Sequence, residues 1–321
     1  KAKYLERGKA YFEEQNFDKA RVEFKNVLQI DPKTAEPYYY LGQIEEKGQN
    51  WQKAFGNYTK ASELDPDLIG ARVKLAQFYL AQAGALRARE DTAGTANALG
   101  LAQEQVKEVL ARAPEDPEGL TLEASLWAQE GETDRAVAQL EKVLAREPDL
   151  NSAVIVLAGL YEKADRPGDA ERVLAAGVDA SDDPTPLRLQ LAQFYGRQQQ
   201  TEKAQQVLRM LIASDPEKLA YRISLASMLS QTGQQDKAEE VLREAIQAAP
   251  DEAQRYVLLA EFLAAQRSKD AAIDDLLHAG GIALSGEQFV LHLQRIFLIL
   301  VPFQDLVQLF QSFVGLIVLN Q

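Results

Sequence analysis

Tyr4-Leu5-Glu6-Arg7-Gly8-Lys9-Ala10-Tyr11 opens the chain, Ala20-Arg21-Val22-Glu23-Phe24 follows, and Asp31-Pro32 closes the segment. After 34 residues the same order of large and small residues returns as Tyr38, Gly42, Ala54, Tyr58, Ala61 and Asp65-Pro66. A fixed period of this size marks stacked repeats, units that bury their apolar faces only against their neighbours. Within the first unit, Tyr4, Leu5, Gly8, Tyr11 and Phe12 share one helix face, and Ala20, Phe24, Val27 and Leu28 share another. That spacing predicts two helices. Glu14-Gln15-Asn16 supplies the turn between them. Pro32 stops the second helix and suits the first turn of the next.

The register holds down the chain. Ala stands at position 20 of eight successive units, as Ala20, Ala54, Ala102, Ala136, Ala170, Ala204, Ala238 and Ala272. Position 8 is always small: Gly8, Gly42, Ala76, Ala124, Ala158, Ala192, Ala226 and Ala260. The units span 1–34, 35–68, 69–116, 117–150, 151–184, 185–218 and 219–252, with a partial unit over 253–279. Pro occupies position 32 except where Asp182 and Leu284 stand. Pro184 and Pro186 follow Asp182, which predicts a displaced junction. In the third unit Tyr79 and Ala102 lie 23 residues apart where 9 are expected, an insertion of 14. The composition of 83–97 predicts two extended, projecting helices joined near Gly94, with a break over 91–94.

This pattern resembles the tetratricopeptide repeat (TPR), a helix–turn–helix unit of 34 residues, over residues 1–279. The resemblance implies an all-α solenoid, a right-handed superhelix of about eight repeats. It also implies a non-catalytic scaffold that binds a protein or peptide segment in a concave groove lined by the first helix of each repeat. Positions 5 and 9 then face inward. The groove candidates are Tyr39, Gln43, Val73, Gln77, Thr121, Ser125, Ile155, Leu189 and Gln193. An apolar stripe beside a mostly neutral polar one suits an extended or helical peptide. Chaperone-type TPR domains hold a C-terminal carboxylate with Lys and Asn. Leu5, Lys9, Tyr39 and Gln43 stand at those places here, so that clamp is missing.

Composition narrows the function further. The formal net charge is −13, which repels phosphate backbones and argues against nucleic acid as a partner. There is no Cys, and His278 and His292 are too few for a His-based metal site. No Gly-rich phosphate loop, nucleophile elbow or HExxH is present. We therefore expect no enzyme activity, no cofactor and no metal.

Residues 280–321 differ in character. They predict apolar C-terminal capping or docking helices, with Phe303, Leu306, Phe310, Phe313 and Ile317 on one face. A spanning helix needs about 20 consecutive apolar residues. The longest run here, 296–303, has 8 and contains Pro302. The tail is expected to cap the array or to dock another protein or a second copy of the chain. Membrane contact is expected at most through an anchor ahead of Lys1 or through this tail. The opening 1–14 resembles the mature start of bacterial TPR lipoproteins, several of which assist envelope assembly or exopolysaccharide export. That resemblance implies a periplasmic or outer-membrane-anchored protein, with a cytoplasmic one as the alternative. The main expectation is an adaptor in an envelope assembly. The alternatives are an accessory of exopolysaccharide synthesis or export, using Tyr39, Tyr40 and Trp51 as sugar platforms, and a self-associating scaffold.

Position 20 provides a direct check of the register. Ala136→Leu should overpack the space between the two helices of its unit and cost about 1–3 kcal/mol. An unchanged thermal midpoint would show that the register is wrong.

Overall fold

The computed structural model describes residues 1–250 and 252–266, and among them it contains helices and no strand. The first unit pairs α1 (Ala2–Glu13) with α2 (Phe17–Ile30), the second α3 (Ala35–Lys47) with α4 (Trp51–Leu64). The third pairs α5 (Ile69–Arg87) with α6 (Thr92–Arg112), the fourth α7 (Pro117–Glu130) with α8 (Thr133–Arg146). Then come α9 (Asn151–Lys163) with α10 (Pro167–Ala180), α11 (Thr185–Arg197) with α12 (Thr201–Ser214), and α13 (Leu219–Gln231) with α14 (Gln235–Ala248). The last described helix, α15 (Ala253–Gln266), opens the eighth repeat. The rest of that repeat and the tail face carrying Phe303, Leu306, Phe310, Phe313 and Ile317 lie outside the described residues. The chain is thus an all-α solenoid of helix pairs. It divides into two compact units, residues 1–184 and 185–321. In the first, each of α1 to α9 packs on the next, and α7 also touches α5 and α9. In the second, α11 to α15 pack in sequence.

One turn design joins the two helices of every described pair. Position 15 adopts positive φ in Gln15, Gln49, Gly131, Asp165, Gln199 and Gly233, and Glu90 does so in the third repeat. The next residue donates its N–H back to the carbonyl five positions earlier, Asn16 to Tyr11 at 2.8 Å and Asp91 to Leu86 at 3.0 Å. This left-handed closure satisfies carbonyls that the end of a helix leaves free. The residue at position 16 then starts the second helix, its carbonyl accepting the Ala20 N–H at 3.0 Å. A single residue therefore ends one helix and begins the next, which is why two to four residues suffice for the turn.

Packing inside each pair rests on an exchange of volume between positions 8 and 24. A Cβ on Gly8 would sit 2.6 Å from the Phe24 ring, and one on Gly42 would sit 2.6 Å from the Tyr58 ring. Glycine there lets the aromatic ring press against the helix backbone, and Phe24 and Tyr58 are fully buried. From the third repeat onward position 8 is Ala and position 24 is smaller: Val106, Leu140, Leu174, Leu208 and Leu242, all buried. The methyl gained on one helix replaces ring volume lost from the other, as dense packing requires.

The insertion departs from the expected break. The helices of the third repeat join over residues 88–91, and Gly94 lies in the first turn of α6. Asp91 is the reason: its carboxylate accepts the Gly94 N–H at 2.8 Å and caps the helix. The left-handed Glu90 shows that seven residues were added to each arm. That is about two turns, or roughly 10 Å of projection. Ala83 and Ala98 are buried at 2% exposure in the added turns, and Arg87 bonds to Gln129 of α7.

The displaced junction expected after Asp182 is not seen: α11 starts at Thr185, the same place in its repeat as Ala35 in α3. Elsewhere position 34 or its equivalent donates to the carbonyl three residues earlier, as Thr34 does to Asp31 at 3.3 Å. Pro184 has no N–H to give. The division between the two compact units falls here.

Gly42→Ala is expected to cost about 1–3 kcal/mol through the clash with Tyr58. Combined with Tyr58→Leu it should recover part of that loss, so a double-mutant cycle by thermal melting will show favourable coupling. Deleting 81–87 together with 92–98 keeps the Glu90 turn and should melt in one cooperative step. Deleting the single block 84–97 restores the same length but removes that turn, and this variant should melt several degrees lower.

Candidate binding wall

The first helices of repeats one to five, α1, α3, α5, α7 and α9, carry the residues expected at positions 5 and 9, and we call their succession the wall. Polar ties link them in succession. Lys9 Nζ reaches Glu36 Oε1 at 2.5 Å, Lys74 Nζ reaches Glu46 Oε1 at 3.0 Å, and Ser152 Oγ donates to Glu118 Oε2 at 2.9 Å. Glu46 also accepts from the Tyr58 hydroxyl at 2.6 Å, and burial, with that bond to a carboxylate, pushes the phenol well above its ordinary range. Burial likewise raises the Glu118 carboxyl above the usual carboxylate range, against the Ser152 hydroxyl and Lys74, which pull it down. Burial, with its bond to Glu141, pushes the Tyr161 phenol up to about 12.

The groove candidates separate by depth. Val73 is buried in the cluster of Ala76, Ala102, Val106 and Leu122. Thr121 is 2% exposed, with its hydroxyl donated to the Pro117 carbonyl at 2.7 Å, and Ser125 donates to the Thr121 carbonyl at 2.9 Å. Tyr39 is half-buried between Tyr40 and Tyr58, and its hydroxyl lies where a Cβ on Gly70 would stand, 2.6 Å away. Only glycine at position 70 lets α5 pass that ring. Gln43, Gln77 and Ile155 are half-buried, and the two amides make no side-chain hydrogen bond among the described residues. A Cβ built on Gly159, also at position 9, meets nothing within 4 Å. Position 9 is therefore unengaged at Gln43, Gln77 and Gly159, whereas Lys9 and Ser125 there already have partners and Val73 and Thr121 at position 5 serve the core. Leu189, half-buried, and Gln193, exposed, belong to α11 in the second compact unit.

Of the three aromatic platforms, Tyr40 is half-buried and stacked on Phe24 at 5.0 Å with 9° between the rings. Trp51 is 55% exposed and meets Phe78 edge-on at 6.2 Å. The ties through Glu36 and Glu118 do not follow from the two stripes; the signal for them is Glu at position 2 of the second and fourth repeats. Among the described residues no group of His, Cys, Asp and Glu could hold a metal ion, and no helix is long and apolar enough to cross a membrane.

Family models match three stretches that together span about half of the chain. One described as TPR repeat matches residues 8–47, and two described as tetratricopeptide repeat match 128–187 and 189–253. Among solved structures, a thermophilic TPR protein of Thermus thermophilus superposes with a TM-score of 0.50 at 24% identity, over 60% of this chain and 97% of that one. A tetratricopeptide repeat protein of Parabacteroides merdae gives 0.42 at 16%, over 92% and 98%. MamA of Desulfovibrio magneticus gives 0.38 at 22%, over 56% and 97%. Comparison with curated proteins gives no match.

Proposed function

The chain belongs to the tetratricopeptide repeat family of protein-interaction scaffolds, and on that footing we propose that its first-helix wall in residues 1–184 holds a segment of a partner protein. The observation that carries this is the state of position 9. Gln43 and Gln77 present amides with no bond to the described residues, and Gly159 leaves room above the helix. A carboxamide offers both donors and an acceptor, the complement of a peptide backbone. Ile155 supplies apolar contact beside them. Tyr39 contributes a fixed edge rather than a mobile one, because its ring is held on both sides.

The resemblance of 1–14 to mature bacterial TPR lipoproteins supports a place for this scaffold in an envelope assembly. Fractionation of the native protein checks that placement, and a wholly cytosolic pool removes it. A sugar-holding role in exopolysaccharide export draws less support, since Tyr40 is stacked inside the array.

Photo-crosslinkers placed at 77 and at 159 should trap one partner in the native cell, while one at the exposed Lys25 should not. With that partner in hand, Gln43→Ala and Gln77→Ala should each weaken binding by about 0.5–1.5 kcal/mol, the net worth of one hydrogen bond. Unchanged affinity in the double variant would move the site off the wall.

A further inference from the structure

We propose that the valley between α6 and α7 is a second docking surface, and that its occupant is a partner segment carrying Lys or Arg beside apolar residues. Within residues 1–184 such a valley lies between the second helix of one repeat and the first helix of the next. At the first boundary it is filled by the ion pair of Arg21 with Glu45. At the second it is filled by rings, Phe55 against Tyr79 at 5.6 Å and against Phe78 at 5.9 Å. At the third boundary the residues corresponding to Arg21 and Glu45 are Gln103 and Trp127, and the valley stays open as a groove of 740 Å³.

Its chemistry is specific. The floor is apolar, with Val106 and Leu126 buried beside Leu110 and Trp127. The rim carries Glu104, Glu123 and Glu130 against a single Lys107. None of the three carboxylates is engaged in an ion pair or a hydrogen bond among the described residues. Among the described residues Arg135 stacks on the Trp127 ring at 3.7 Å and pairs with Glu132 at 2.7 Å. Glu123 is half-buried, and that burial holds its carboxyl above the usual range against the partial pull of the Arg135 charge. An incoming cation relieves this cost, because an opposite charge favours the ionised form. The alkyl stem of Lys or Arg can meanwhile cover the indole and the leucines. The α6 side of the lining runs from Gly100 to Ala111, about 16 Å at helical rise, enough for three turns of a partner helix. On α7, Glu123, Trp127 and Glu130 lie on the side of the helix opposite Thr121 and Ser125, so this surface is independent of the wall.

The test uses the whole chain with Trp51→Phe, which leaves Trp127 as the single indole. The probe is a short amphipathic peptide of Lys and Leu, with a Glu and Leu peptide as its control. The basic peptide should shift Trp127 emission to the blue and saturate. Glu123→Lys and Gly100→Lys should each weaken it about tenfold by removing or opposing the charge attraction. A Cβ at Gly100 meets nothing within 4 Å, so that variant fills the groove without disturbing the fold, and circular dichroism will verify this. Glu63→Lys makes the same change of charge on α4, and it should leave binding unchanged, as should the pair Gln43→Ala and Gln77→Ala. Equal binding of the acidic peptide, an equal loss in Glu63→Lys, a loss in the wall pair, or no saturable shift would each overturn the proposal. The wall reading stands or falls by its own crosslinks.

Discussion

How closely the two helices of a repeat approach depends on what position 8 leaves free for position 24. Packed helices sit about 8–10 Å apart according to the side chains at their contact. With Gly8 and Gly42 the rings of Phe24 and Tyr58 lie against backbone. Each ring also meets the next repeat, Phe24 stacking on Tyr40 at 5.0 Å and Tyr58 tilted against Phe78 at 6.1 Å. One side chain thus sets the spacing within its own pair and the stacking of the following one. In a solenoid, where stability is shared between repeats and their interfaces, such a residue acts on both. The change to Ala with Val or Leu keeps the first role and replaces ring-on-ring contact with aliphatic packing, as Val106 shares a buried cluster with Leu122 and Leu126 of the next repeat.

The boundaries between repeats are therefore where this array becomes individual. Glu45 is 6% exposed, and a carboxylate so placed requires its Arg21 partner; removing one member leaves a buried charge that costs far more than the pair contributes. The second boundary needs no charge because four rings close it. Exposed pairs such as Arg146 with Glu115 lie at the other extreme and contribute little. Burial, more than the number of pairs, decides which charges matter to the stack.

The period was legible because it is written in side-chain size, and size is what the helix contact reads. Ala at position 20 and a small residue at position 8 identify the pairs without any knowledge of the turn. The turn itself was harder to place. Its left-handed residue is glycine at Gly131 and Gly233, but Gln, Asp or Glu at the other described turns, so composition does not mark it. In the third repeat Gly94 looked like the break, yet Asp91 holds it inside the helix. The polar stripe through Gln43 and Gln77 could be read from the sequence, since the depth of position 9 varies little between neighbours. Position 5 could not, because the same place is half-buried in Tyr39 and Ile155 and fully enclosed in Val73 and Thr121. The α6–α7 groove arises from what two side chains fail to fill, and it is visible only when the boundaries are compared in space.

The insertion shows how the array grows without losing that register. Seven residues fall about 20° short of two full turns, so lengthening a helix by seven returns nearly the same face to its partner. Adding seven to both arms keeps the two lengthened helices matched, and the small residues Ala83 and Ala98 continue their contact into the new turns. Fourteen residues in one arm would also preserve the face but would leave about four turns without a partner. The equal division is thus the solution that extends the intrarepeat contact and leaves α4 and α7 where the period puts them. It also places the added turns of α6, 92–98, immediately ahead of Gly100, where the lining of the open valley begins. The longer hairpin and the unfilled boundary are consecutive features of one helix, so a partner lying in the valley would meet the projecting turns at its end.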